Sequence, residues 1–195
     1  MKRVYKQGIG VGLVVLMAAP ALALVNRGCV AHRETDYLAT IKTDFGDITI
    51  RLLTSEAPNT VANFRQLADE KFYDGLSFHQ VDREAGVIGA GRPPPGREPQ
   101  WSIPIEENHL VFERGSVALF HPAGEPDKNT CMFMISLSRR PGMSDLFTIF
   151  GKVIEGIDVA ERISRVETTG PDGQPPNTPL ERVTIHSITV GQAPY

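Results

Sequence analysis

Residues 38–68 read LATIKTDFGDITIRLLTSEAPNTVANFRQLA and contain two strand-like runs followed by a helix-like run. In the second run, residues 47–52, apolar and polar side chains alternate, which is the period-two pattern of a strand with one buried face. Residues 38–43 form the first run, and Phe45-Gly46 lies between the two. This arrangement predicts a β-hairpin.

The third part of the stretch predicts an α-helix. Ser55 is placed to cap it, and Pro58 lies in the first turn, where its missing N–H costs nothing. One face of the helix is apolar, formed by residues spaced three and four apart: Val61, Phe64, Leu67 and Ala68.

The remaining chain is dominated by strand-like runs. Residues 86–104 are rich in glycine and proline and predict a long surface loop, and residues 167–181 predict another loop. Further strands are predicted at residues 76–81, 115–120, 132–137, 147–154 and 183–190, and a second helix at residues 157–163. A terminal strand at each end that can pair with the other indicates a mainly β fold, a closed antiparallel barrel capped by two α-helices.

The N-terminus has the pattern of an export signal. Lys2, Arg3 and Lys6 precede an uncharged run at residues 8–25, which contains the small-residue triplet Ala21-Leu22-Ala23. We predict that residues 1–23 are a signal peptide or, if uncleaved, a membrane anchor. Cys29 leaves lipidation open as a third alternative. Residues 24–36 form a polar lead-in, and the domain covers residues 37–192.

Charge and histidine spacing exclude several function classes. Three of the 20 basic residues lie in the signal. The mature part therefore contains 17 basic and 23 acidic residues. This balance argues against nucleic-acid binding, which needs a concentrated basic face. The five histidines show no metal-ligand spacing, so we expect no metal and no cofactor.

Several strings, taken in order, resemble the cyclophilins, the barrel-fold peptidyl-prolyl cis-trans isomerases. The resemblance covers residues 38–190 and implies an eight-stranded antiparallel barrel closed by two helices, in a bacterial, exported protein with a divergent active site. The strings are EAP at residues 56–58, TVANF at 60–64, FYDGL at 72–76, FH at 78–79, IPIE at 103–106, RGSV at 114–117, FGKVIEG at 150–156, and DV at 158–159.

The resemblance implies isomerisation of X-Pro bonds. Partial double-bond character makes the barrier of the imide bond high. An enzyme must hold the proline ring in an apolar pocket, place a hydrogen-bond donor where the imide loses resonance, and exclude water, with no nucleophile or cofactor. Cyclophilins supply the main donor as an arginine directly after the Phe-His pair, and here that position is Gln80, next to His79. Glutamine is a neutral and shorter donor.

Other positions of the implied groove also depart from the family. The family's glutamine before a Gly-Gly pair falls on Gly89 or Ile88, and polar groups are exchanged for methionine and phenylalanine, which gives an adaptable apolar surface. The residues expected to bind substrate are Met132, Met134, His121, Phe147, Met143 and Val87.

Each of these residues also has a structural interpretation. Gln80 could be an ordinary strand residue, His79 a structural histidine, and the Met132–Met134 pair core packing on one face of a strand. Arg83 could replace the missing cation, but its odd spacing from Gln80 directs it to the opposite face. Glu106-Glu107 is a carboxylate pair or simply solvated charge.

Two functions remain open from the sequence. The first is an isomerase acting on X-Pro bonds of exported proteins, located in the periplasm or anchored to the membrane outside the cytoplasm. The alternative is a catalytically weak or inactive module with the same barrel that binds proline-containing peptides or a partner protein. In both cases we expect a monomer whose partners are proline-containing peptides or unfolded protein segments.

Overall fold

The computed structural model describes residues 37–120, 131–141 and 147–193. These residues contain eight strands and two helices joined by loops. They are β1 Tyr37–Thr43, β2 Gly46–Leu52, α1 Pro58–Asp69, β3 Ser77–Asp82, β4 Val87–Ala90, β5 Ser116–Leu119, β6 Phe133–Ser136, β7 Thr148–Glu155, α2 Ile157–Ile163 and β8 Val183–Gln192. The strands form a closed barrel in the order β1-β2-β7-β5-β6-β4-β3-β8, and every pair is antiparallel. The predicted fold class is confirmed.

The predictions for the N-terminal segments, residues 1–23 and 24–36, lie outside the described residues. Within the described part, neither α1 nor α2 has the length and apolar run that crossing a membrane requires.

The hairpin at the start of the domain follows the predicted alternation. Ile41 lies opposite Ile48, and Ala39 lies opposite Ile50, and all four side chains are fully buried. β1 also pairs along its length with β8, so the first and last strands close the barrel. Closure removes the open edges that would otherwise invite pairing with other chains.

An aromatic cluster fills the space between α1 and the barrel. The Phe64 ring on α1 lies 5.3 Å from Tyr73, 5.7 Å from Phe133 and 5.1 Å from Phe150, measured between ring centroids. All four side chains are fully buried. The apolar face predicted for α1 is therefore the face that packs on the core, as the spacing of three and four requires.

The N-terminus of α1 differs from the prediction. The helix begins at Pro58 with Ala57 as its N-cap residue, and no side chain at that position caps it; Ser55 is exposed in the preceding turn. Instead, the Glu106 carboxylate accepts hydrogen bonds from the backbone N–H groups of Asn59 at 2.9 Å and Thr60 at 2.7 Å. Their side chains, Nδ2 and Oγ1, also donate to it, at 3.0 and 2.6 Å. A carboxylate satisfies the free N–H groups there and complements the positive end of the helix dipole.

The predicted loop at residues 86–104 contains a strand, so that prediction was wrong over its first part. β4 is buried at all four positions between β3 and β6. A strand buried on both faces shows no polar alternation, and short apolar runs of this kind are ambiguous. Gly91 follows β4 with φ +85°, and a Cβ there would collide with the carbonyl oxygen of Cys131, so glycine is required at the strand end.

We predict that Glu106→Ala lowers the free energy of unfolding by about 1–3 kcal/mol, because it leaves the N–H groups of Asn59 and Thr60 without their charged acceptor. Urea denaturation measures this change. Glu107→Ala is the matched control, since Glu107 is the exposed neighbouring glutamate. Equal effects of the two substitutions would contradict a capping role for Glu106.

Candidate active site

A cavity of about 160 Å³ opens on the outer face of the barrel, over β3, β4 and β6. Its surface is almost entirely apolar. An apolar cavity of roughly 150 Å³ is known to take up benzene, so this one has the size for a single small ring. The lining residues are His79, Gln80, Asp82, Ala85, Val87, Gly89, Phe120, Phe133, Met134 and Phe147.

Three of the lining residues form a single row across adjacent strands. Gln80 on β3 lies opposite Gly89 on β4, and Gly89 lies opposite Met134 on β6. Ile88 and Ile135, one position away, are fully buried in the main core because successive side chains point to opposite faces. Of the two positions that the family's glutamine could match, Gly89 therefore lies in the cavity wall and Ile88 does not.

The side chain of Gln80 lies over Gly89. A Cβ built on Gly89 would be 3.4 Å from the Gln80 Cβ and 3.7 Å from its Oε1. Gln80 is half-buried, and within the described part of the chain its carboxamide has no hydrogen-bond partner. The carboxamide N–H groups are therefore available to a bound molecule.

His79 is held neutral. Burial lowers the pKa of its imidazole, and the nearby positive charge of Arg92 lowers it further, to about 3. A Cβ on Gly89 would also lie 3.8 Å from the ring Nε2, so the imidazole stands beside Gln80 at the cavity. A neutral imidazole offers one donor and one acceptor nitrogen at physiological pH.

The opposite wall of the cavity belongs to a second apolar cluster outside the barrel. Met134 and Val87 are buried in this cluster. The ring of Phe147 stacks on Phe120, with centroids 6.4 Å apart and planes inclined by 16°, and lies 6.3 Å from Phe112. The stacked rings keep this wall apolar and fixed.

The structure brings five of the predicted site residues together, since each lines this one cavity: His79, Gln80, Val87, Met134 and Phe147. Met132 does not line it. β6 begins at Phe133, and Met132 directly precedes the strand, half-buried against the main core, whereas Met134 is buried in the outer cluster. His121 and Met143 lie outside the described residues.

Four residues of the cavity were not predicted from the sequence: Asp82, Ala85, Phe120 and Phe133. Asp82 is two residues beyond Gln80 on β3, and that even spacing could have identified it. Phe120 follows β5 and carries no such signal. Arg83 lies just beyond the end of β3, does not line this cavity, and donates to the carbonyl of Ser164 at 3.1 Å. Glu106 is a helix cap and not one of a catalytic pair.

The described residues contain no group of three or more potential ligands that could hold a metal ion.

Comparison with known proteins identifies the class. Residues 38–190 match the family described as "Cyclophilin type peptidyl-prolyl cis-trans isomerase/CLD". A peptidyl-prolyl cis-trans isomerase of Acinetobacter baylyi is 30% identical over 82% of this chain and 88% of its own length. Peptidyl-prolyl cis-trans isomerase B of Escherichia coli is 30% identical over 80% of this chain and all of its own length.

Solved structures show the same fold. A cyclophilin-type isomerase of Cryptosporidium parvum has a TM-score of 0.71 at 22% identity, covering 82% of this chain and 99% of its own. A second crystal structure of that protein, determined in the presence of the dipeptide Ala-Pro, has a TM-score of 0.70 at 21% identity, covering 80% of this chain and 99% of its own. The protein belongs to the cyclophilin-type peptidyl-prolyl cis-trans isomerases, the enzymes that interconvert the cis and trans forms of X-Pro bonds.

The neutral His79 predicts a pH dependence of stability. Its pKa is about 3 in the folded protein and near 6.5 when unfolded, so acid favours proton uptake by the unfolded chain. The contribution of the neutral His79 ring to the free energy of unfolding is therefore complete above pH 6.5. It is lost as the pH falls toward 3, and the free energy of unfolding then drops by at most about 1.4 kcal/mol per pH unit.

We expect the free energy of unfolding of the wild type to fall more steeply than that of His79→Asn between pH 6.5 and 4. Urea denaturation across this range measures both slopes. His109→Asn, which removes an exposed histidine outside the cavity, is the control. Identical slopes for the wild type and His79→Asn would show that the ring is not held neutral by burial.

Proposed function

We propose that this protein catalyses X-Pro isomerisation without a cationic hydrogen-bond donor. The proline ring occupies the 160 Å³ cavity, and the carboxamide of Gln80 is the hydrogen-bond donor to the rotating imide. The observation that supports this best is the row Gln80–Gly89–Met134, which joins an unpartnered donor directly to the apolar wall. The Ala-Pro dipeptide used with the Cryptosporidium protein indicates the smallest ligand to test.

Rotation about the imide bond breaks no covalent bond, so the site needs only to lower the energy of the twisted state. Twisting ends the resonance, returns the lone pair to the prolyl nitrogen and makes the group less polar. A donor placed at that nitrogen binds the twisted state more strongly than the planar one, which is the condition for catalysis. The apolar wall of Met134 and Phe147 favours the less polar state as well.

His79 lies beside Gln80 in this groove and carries no charge. With a pKa of about 3, it takes up no proton at physiological pH and cannot supply the positive charge that the family's arginine supplies. Its place beside Gln80 fits a second role, that of orienting the carboxamide or the peptide backbone through one neutral nitrogen.

A second candidate function is peptide binding with little catalysis. The observation that favours it is the absence of any charged donor in the row Gln80–Gly89–Met134, since charge-assisted hydrogen bonds are roughly twice as strong as neutral ones. The cavity would then hold proline-containing segments of a partner without accelerating their isomerisation.

We predict that Gln80→Arg raises kcat/KM on a short X-Pro peptide by about tenfold or more, because a charged donor stabilises the twisted imide more strongly. A protease-coupled isomerisation assay on the mature protein measures the rate, and titration with the same peptide measures affinity. Gly89→Gln combined with Gln80→Arg should increase the gain, since it places an amide oxygen opposite the guanidinium. Gln192→Arg, which adds the same charge at the exposed end of β8, is the control.

Three results distinguish the proposals. A gain with Gln80→Arg alone or with the double variant, absent in the control, supports position 80 as the donor. A wild type already as fast as an efficient isomerase, with no gain from arginine, would show that another group carries the chemistry. Peptide binding without a measurable rate in any variant would select the binding module.

We also propose that the substrates are unfolded segments of exported proteins. The support is the sequence of residues 1–23, with Lys2, Arg3 and Lys6 ahead of an uncharged run. A prolyl isomerase acting there would meet X-Pro bonds in chains that have just crossed the membrane, when cis and trans forms are both populated.

We predict that fractionated cells contain the protein outside the cytoplasm, in soluble or membrane-attached form. Immunoblotting of the fractions and mass spectrometry of the N-terminus distinguish cleavage after Ala23, lipidation at Cys29 and an uncleaved anchor. A variant that lacks residues 2–23 is the control and should stay in the cytosol. Full-length protein in the soluble cytosol, with residues 1–23 attached, would contradict export.

A further inference from the structure

A second cavity, of about 290 Å³, lies at the end of β3 against the loop between α2 and β8. It is near the lower limit of roughly 300 Å³ for ligand pockets, enough for one side chain of a peptide. Its surface is divided between polar and apolar atoms. The lining residues are Val81, Asp82, Arg83, Glu84, Thr168, Gly170, Pro171 and Asn177.

The walls of this second cavity are held by hydrogen bonds. The guanidinium of Arg83 donates to the carbonyl oxygens of Ser164, Arg165 and Val166 at the end of α2. The N–H of Val81 donates to the carbonyl of Asn177 at 2.8 Å. The cavity therefore exists before any ligand binds, which lowers the cost of binding.

Asp82 connects this cavity to the candidate active site, because it is part of the lining of both. An extended peptide advances about 3.3–3.6 Å per residue. Because both cavities share Asp82 in their walls, a peptide whose proline ring fills the first cavity can reach the second with a residue a few positions away.

Two carboxylates line the second cavity and favour a basic side chain, and the nearby guanidinium of Arg140 donates to the backbone carbonyl of Glu84. Asp82 and Glu84 contribute carboxylates, and one oxygen of Asp82 accepts a hydrogen bond from the N–H of Ala85 at 2.7 Å, which leaves the other oxygen to a ligand. Arg83 is the cation among the lining residues, and its guanidinium is directed to the carbonyl end of α2. Glu84 is exposed, and within the described residues its carboxylate has no ion-pair partner.

We propose that the second cavity is a specificity subsite that takes a lysine or arginine side chain one to three residues from the substrate proline. This inference rests on the proposed function, since it requires the proline to occupy the first cavity. The subsite makes the enzyme prefer basic over acidic residues at one flanking position, while Gln80 and the apolar wall act on the imide itself.

The test uses a set of alanine-based peptides with one proline, carrying lysine, glutamine or glutamate at each of the three positions on either side. Exchange NMR measures kcat/KM without a coupling protease. At one position we expect lysine to exceed glutamine by about two- to fivefold and glutamate to fall below it, the size expected for a partly exposed ion pair. The preference should shrink at high salt, because exposed charges are screened.

Substitutions at Glu84 separate a charge effect from a fit of shape. Glu84→Gln should reduce the lysine preference at that position, and Glu84→Lys should reverse it in favour of glutamate. Glu155→Gln, which removes an exposed carboxylate that lines neither cavity, is the matched control and should keep the preference.

Binding provides a readout that does not depend on catalysis. In NMR titrations, the lysine peptide should shift the backbone amide signals of Thr168, Gly170 and Asn177, and the all-alanine peptide should not. These shifts without turnover would support the subsite and contradict the isomerase proposal. Turnover with no lysine–glutamate difference at any position, or a difference that survives Glu84→Lys, would overturn the subsite.

Discussion

Closure of the barrel is the constraint on which the rest of the structure depends. β1 pairs with β2 on one side and β8 on the other, so no strand edge stays open and each strand has one face inside. Inside, Phe64, Phe133 and Phe150 pack together and fix the register. Because side chains alternate, the same register places Gln80, Gly89 and Met134 on the outer face. The core therefore determines which residues line the cavity.

One glutamate connects the first helix to the wall of that cavity. The Glu106 carboxylate caps α1, and the backbone N–H of Glu106 donates to the Thr148 hydroxyl at 2.9 Å, while that hydroxyl donates to the Glu106 carbonyl at 3.1 Å. Thr148 directly follows Phe147, whose ring stacks on Phe120 in the cavity wall. The chain between β4 and β5 is thus held at Glu106 to both α1 and β7. Preorganisation of this kind is what a site without a charged hydrogen-bond donor relies on.

The sequence predicted the elements whose pattern is local. The alternation in β2 and the three-and-four spacing in α1 each carry their own signal, and both were confirmed. β4 was missed because it is buried on both faces and shows no alternation. The cap of α1 was missed because Glu106 is 46 residues from Thr60, too far for a local motif. The cavity could not be derived from local patterns at all, since β3, β4 and β6 become neighbours only in the barrel; the family resemblance supplied its residues.

The departures from the family pattern at positions 80 and 89 are physically consistent with each other. Where the family resemblance implies arginine and glutamine, this protein has Gln80 and either Gly89 or Ile88, and Gln80 and Gly89 lie opposite each other across one strand pair. A guanidinium at position 80 would lie half-buried over a glycine that offers no side-chain oxygen, and removing a charge from water is costly. A neutral carboxamide at position 80 avoids that cost. The row is therefore consistent as a set of uncharged side chains, and the charges of the groove lie beside it, on Asp82 in the cavity wall and on Arg92 near His79.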